Sequence, residues 1–167
     1  MLSDRTVKGG TRLVQIGWRE WVELPELGIP GIKAKIDTGA RTSALHAFRL
    51  EEFEEQGQRC VRFRIHPLQH RTDLECECAA AIIDTRVVSD SGGHREQRPV
   101  VRTRIKLGPH EWSAEITLTN REDMLFRMLL GRSAITEGGL LINPALSYLS
   151  GPSLRHCYPR RKTIINR

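Results

Sequence analysis

Asp37 stands at the end of an alternating run, Ile32-Lys33-Ala34-Lys35-Ile36, and is followed by Thr38-Gly39-Ala40-Arg41. A carboxylate in that place can take a proton from water or hold one, which is acid–base chemistry on a hydrolysable bond. Its neighbours suit the work. Gly39 lets the backbone turn sharply and approach closely, so that its amide can donate to the carboxylate. Thr38 offers a hydroxyl to brace the loop, and Ala40 keeps the approach narrow. Taken alone, Asp-Thr-Gly is also an ordinary turn sequence.

The elements around this loop must be strands. Ile32, Ala34 and Ile36 share one face of the run while Lys33 and Lys35 share the other, a period of two. The same alternation recurs at Val61, Phe63 and Ile65, and again from Pro99 to Leu107. Gly108-Pro109 then turns the chain into a returning strand through Trp112, Ala114, Ile116 and Leu118. Leu13 to Trp18 and Trp21 to Leu24 predict a hairpin or a bent strand. The Glu-rich stretch 51–58 reads as a loop or hairpin end, and 66–80 as an insertion without pattern. Val87-Val88 runs into Ser89-Asp90-Ser91-Gly92-Gly93, a turn. Only Arg132 to Glu137 reads as a short helix. Evenly spaced strands with turns imply an all-β fold, a small barrel.

A second element gives the aspartate loop its context. Met128-Leu129-Leu130-Gly131-Arg132 sets large apolar residues before a glycine and the short helix. With Asp37-Thr38-Gly39-Ala40 and a glycine-containing hairpin at Gly92-Gly93, it stands in the order of a retropepsin-like aspartic peptidase subunit. The stretches Lys35 to Ala47, Arg98-Pro99-Val100, Trp112 to Arg121 and Met128 to Arg132 resemble one bacterial and archaeal family more closely. Its members are labelled retropepsin-like aspartic endopeptidases or "ATP-dependent zinc proteases". The resemblance spans roughly residues 11–150.

That resemblance implies a closed barrel of the acid-protease type with one short helix, acting as a homodimer. Asp37 and its mate from a second copy would face one water and share a proton, because two carboxylates that close cannot both ionise. The ionised one would take a proton from the attacking water; the protonated one would hydrogen-bond the peptide carbonyl. Thr38, Gly39 and Ala40 would form the active-site loop, and Leu130 and Gly131 would support it where two backbones nearly touch. In viral enzymes an acid follows the alanine and pairs with the arginine after the late glycine. Here Arg41 follows Ala40, so Arg41 and Arg132 cannot make that pair. Both become candidates for binding substrate, and favour an acidic peptide.

Other constellations compete. Asp90-Ser91-Gly92 fits the minimal aspartate motif, but a bilobed enzyme would repeat the Leu-Leu-Gly element as well. Asp84-Thr85 continues with Arg86 and fails at the glycine. No His-Glu-x-x-His occurs. The set His66, His70, Cys76 and Cys78 is the alternative metal cluster, of a chemistry that suits zinc; otherwise no cofactor is expected. No phosphate-binding Gly-x-x-x-x-Gly-Lys-Ser/Thr is present, so ATP would come through a partner protein. His46 follows the loop as a candidate supporting group.

Charge separates the ends from the body. The net charge is +6, yet residues 1–154 hold 21 basic against 20 acidic residues. Arg155, Arg160, Arg161, Lys162 and Arg167 carry the excess, in a stretch free of acids. The expected organisation is an N-terminal extension (1–10), a peptidase domain (11–150) and a basic C-terminal tail (151–167). Such a tail is expected to be solvated, or to touch an acidic partner, RNA or ribosome. No apolar run is long enough for a membrane helix, no leader is visible, and four sparse cysteines suit a reducing compartment, so a cytoplasmic site is expected. The readings to be told apart are an aspartic-type peptidase, a zinc-dependent peptidase, and a non-catalytic module binding an acidic peptide or ribosomal partner.

Overall fold

The alternating run before Asp37 forms a strand, and that strand lies in the middle of the largest sheet. A computed structural model describes residues 13–121 and 123–160. Their strands are β1 (Val14–Ile16), β2 (Arg19–Leu24), β3 (Ile29–Asp37), β4 (Ser43–His46), β5 (Phe48–Glu55), β6 (Gln58–Ile65), β7 (Cys76–Ala81), β8 (Asp84–Ser89), β9 (Arg95–Leu107), β10 (His110–Thr119), β11 (Met128–Gly131) and β12 (Leu140–Ile142). The single α-helix among them, α1, is Arg132–Glu137, as the sequence predicts. No helix of the described residues is long and apolar enough to cross a membrane.

Seven strands make the main sheet in the order β10-β4-β11-β3-β2-β9-β8. The sheet curls on itself, because β9 also pairs with β10 from His110↔Leu107 to Thr117↔Val100. The opposite seam, between β2 and β9, is held at one register pair, Glu23↔Lys106. The all-β class is therefore as expected, while the closure is less complete than a clean barrel. Inside the curl lie Val22, Ile32, Ala34, Leu45, Ile105, Ile116, Leu118 and Leu130, all buried. Apart from Ala34, each such side chain contributes roughly 1.5–3 kcal/mol by leaving water.

Several expectations need correction. Of the two readings of residues 13–24, the hairpin is excluded, because β1 pairs in parallel with β12 while β2 pairs with β3 and β9; the two strands follow one another with a break at 17–18. Between them the chain runs against the 146–147 backbone: a Cβ on Gly17 would lie 2.3 Å from the Leu146 carbonyl oxygen, which accepts the Trp18 amide at 2.9 Å. The 51–58 stretch is a hairpin end rather than a loop: β5 runs to Glu55 and pairs with β6 from Gln58 across a turn at Gln56-Gly57. The patternless insertion ends early, because β7 starts at Cys76 and joins β5 and β6 in a separate three-stranded sheet. That sheet presents Val61, Phe63, Ile65 and Cys78 to the shared core.

The start of the basic tail packs on the body. Tyr158 donates its hydroxyl to the Gly31 carbonyl at 2.6 Å, and Leu154 lies where Gly31 would carry a Cβ. Just upstream, the buried Glu20 carboxylate accepts the amides of Leu149 (2.9 Å) and Ser150 (2.7 Å). A buried charge is tolerated when it is hydrogen-bonded in this way. The N-terminal extension 1–10 and residues 161–167, with Arg161, Lys162 and Arg167, lie outside the described residues.

Candidate active site

Consecutive strands β3 and β4 do not pair with each other. β11 is threaded between them, parallel to β3 and antiparallel to β4. The connection 38–42 must therefore arch over the end of β11, where Gly131 stands in register with Asp37. A Cβ on Gly131 would lie 2.5 Å from the carbonyl carbon of Thr42 and 2.7 Å from the Ser43 nitrogen. The two backbones touch, and only glycine fits between them.

The next amides turn that contact into a clamp. Gly131 donates to Ser43 Oγ (2.9 Å), Arg132 to the Ala40 carbonyl (2.7 Å) and Ser133 to the Arg41 carbonyl (2.9 Å). The amides that open a helix have no partner within it. Here the start of α1 spends them on the aspartate loop. The Arg132 guanidinium adds a bond from Nη1 to the Thr38 carbonyl (2.8 Å). Arg132, a candidate for substrate, thus braces the loop. Arg41 is exposed, and its carbonyl is committed to Ser133.

Within the loop, Asp37 Oδ1 accepts the amides of Gly39 (3.0 Å) and Ala40 (3.2 Å). A carboxylate has about four lone-pair sites, so Oδ2 retains its capacity to accept a proton or a water. Asp37 is half-buried and Thr38 and Gly39 are exposed. The arrangement is a fixed carboxylate presented outward from a rigid support.

Asp90 repeats the local geometry without the support. Its Oδ1 accepts Gly92 and His94 amides, each at 2.9 Å, and Arg121 lies 3.9 Å from Oδ2. The His94 amide first, then that of Gly92 and the Arg121 charge hold its carboxyl below the usual range. No glycine strand passes behind it, and no hydrogen bond among the described residues joins it to Asp37. Asp84 is likewise paired, with Arg86 at 2.7 Å.

The proposed zinc ligands do not converge. Among the described residues no group of three or more His, Cys, Asp or Glu is placed to hold a metal. Cys78 lies in the core, where burial first, then the nearby Cys76 and Glu77, push its thiol up to about 12. A metal needs the thiolate. His66 stacks on Phe48 at 4.5 Å and its Nδ1 lies 3.1 Å from the Leu74 carbonyl. His70 sits at φ 60 and lines a different cavity with Arg71 and Arg155. His46 is buried and lines a separate polar cavity with His66 and Arg127.

Ser43 lies within the Lys35–Ala47 stretch, yet nothing in the sequence marks its role, because its partner, the Gly131 amide, is 88 positions away. Lys35 and Arg98 lie in stretches the reading did use, but their meeting place depends on the same threading. With Arg121 they line a cavity of 290 Å³ whose floor includes Ala44 and Leu129.

Comparisons with known proteins identify the family of the fold. A family model described as RimB-like, retropepsin-like aspartic endopeptidase RimB, matches residues 15–153. A protein of Desulfotalea psychrophila named "Probable alpha-L-glutamate ligase" is 43% identical over 152 residues, covering 89% of this chain and 32% of that one. A protein of the same name from Shewanella halifaxensis is 43% identical over 136 residues, with 81% and 30% covered. The chain thus spans about a third of the length of these relatives. The crystal structure of Lpg0085 from Legionella pneumophila, of unknown function, superimposes with a TM-score of 0.70 at 28% identity, over 82% of this chain and 98% of that one.

Proposed function

Because the chain belongs to the RimB-like family of retropepsin-like aspartic endopeptidases, we propose that it hydrolyses peptide bonds through a water activated by Asp37. The observation that carries this reading is the Asp37 carboxylate held by the Gly39 and Ala40 amides directly above Gly131. In the mechanism, two copies of the chain each bring one Asp37 to a common axis. One carboxylate is ionised and takes the proton of the attacking water. The other is protonated and donates to the carbonyl oxygen as negative charge develops there. The Asp37 loop need not move to do this, since α1 and Ser43 fix it in advance.

The substrate in this reading is an acidic peptide. The longer relatives are named for ligation of α-L-glutamate, and two-thirds of their length lies outside the match. A domain that hydrolyses glutamyl peptides would complement such a ligase. Arg41, exposed in the loop that follows Asp37, would supply a cation for that substrate.

The test is Asp37→Asn, assayed on Glu-rich peptides by mass spectrometry. Cleavage should fall by at least about 10³-fold, with melting temperature and sedimentation unchanged. Retained cleavage would sink the proposal.

A further inference from the structure

Lys35 and Asp37 are two residues apart on β3, so their side chains leave the same face of the strand, about 6.5 Å apart along it. Register carries that face sideways. Lys35 lies opposite Leu129, and Leu129 opposite Ala44. This row, one strand repeat behind the Asp37–Gly131 pair, floors the 290 Å³ cavity. Phe126 supplies further apolar wall, and Arg98 and Arg121 supply charge.

The charge is placed unusually. Arg98 is only 6% exposed, and guanidinium groups are seldom buried unless paired. Its Nε donates to Glu96 at 2.9 Å, and Glu96 also accepts the Thr119 hydroxyl at 2.9 Å. A guanidinium has five donors, and Glu96 engages the one at Nε. Arg121 is tied to Asp123 (3.2 Å) and lies 3.9 Å from Asp90. These carboxylates stand outside the cavity lining, whose charged groups are all cations and whose other side chains are apolar but for Thr119. In a cleft walled by apolar groups, a cation attracts a carboxylate more strongly than it would in open water.

Resting on the peptidase reading above, we propose that this cavity is the substrate subsite for a glutamate side chain. Lys35, Arg98 and Arg121 would face its carboxylate, and Leu129 and Phe126 would cover its methylenes. It would seat a residue beside the scissile bond, because Lys35 precedes Asp37 by one strand repeat. The selectivity for acidic peptides would then reside behind the loop, with Arg41 as a lesser contributor.

The experiment uses C-terminally amidated hexapeptides in pairs, with Glu or Gln at one position at a time. On the wild-type chain, kcat/KM should favour Glu over Gln by about 10-fold or more at one position near the cleaved bond. Lys35→Met and Arg121→Gln replace exposed or half-exposed side chains and should fold; each should bring that ratio toward one, whereas Arg41→Gln should leave most of it. A ratio unchanged in Lys35→Met and Arg121→Gln overturns the proposal. So does a preference that appears only when the C-terminal carboxylate is left free. Binding of the same labelled pairs to Asp37→Asn, read by anisotropy, separates the two ideas. If no peptide is hydrolysed, the peptidase reading fails, and equal binding of Glu and Gln peptides there removes the subsite too. Tighter binding of the Glu peptide, lost in the Lys35→Met double variant, sustains the subsite by itself.

Discussion

Gly131 has no space for a methyl group. Its Cβ would strike the carbonyl carbon of Thr42 at 2.5 Å, and that atom belongs to backbone held by the Gly131–Ser43 and Arg132–Ala40 bonds. Gly131→Ala should therefore cost about 2–3 kcal/mol and lower the melting temperature by about 4–12 °C. Calorimetry checks this, and a variant melting within a degree of the parent would contradict the close contact. Asp37 and Gly131 were legible because each is dictated by a backbone need: a turn beside a carboxylate, and a gap between two chains. Ser43 was not legible, since a serine that caps a remote amide looks like any other serine. Arg132 was read by its charge, yet its bond to the Thr38 carbonyl gives it a bracing role. Lys35 was assigned only to the polar face of a strand, and what that face meets depends on β11.

Among the elements, the β8–β9 hairpin is the one whose state should respond to acid. Its tip is tied by Asp90 to the Gly92 and His94 amides. Those bonds hold the folded carboxyl below the ordinary value, so its stabilisation is complete above a pH of about 3.9. It is lost as pH falls through the lower folded value. In an acid titration followed by NMR, the Gly92 and His94 amides should lose their native shifts in this range. Asp90→Asn should flatten that response, and an identical titration in the variant would refute the assignment. The hairpin itself could be read from Val87-Val88 and the Ser-Asp-Ser-Gly-Gly turn. β9, β10 and α1 were legible from period and punctuation. β5 was hidden by its composition, as Glu51, Glu52, Glu54 and Glu55 are all exposed and leave no alternation. β7 was hidden by alanines and cysteines, which have no strong preference. The β1–β12 pairing joins residues over a hundred positions apart, which no local pattern reports.

At the scale of the molecule, one chain offers one supported Asp37. The dimer reading therefore makes activity a property of a pair. Mixing active chain with excess Asp37→Asn should lower activity below simple dilution, toward the fraction of pairs with two aspartates, once subunits have exchanged. Activity that follows dilution alone would speak for a monomer. The all-β class was legible at this scale, because strands dominate the pattern throughout. The separate three-stranded sheet was not, since it arises from what β5–β7 fail to pair with. The position of Asp37 has a last consequence, concerning time. It ends β3, which is flanked by β2 and β11 in the interior of the main sheet, whereas Asp90 opens the turn after β8, an outer strand that is largely exposed. Interior strands open rarely, and edge ribbons open often. On the peptidase reading, the Asp90 hairpin should therefore open many times for each opening of the Asp37 strand, and amide hydrogen exchange faster at Val87 and Val88 than at Ala34 and Ile36 would report it.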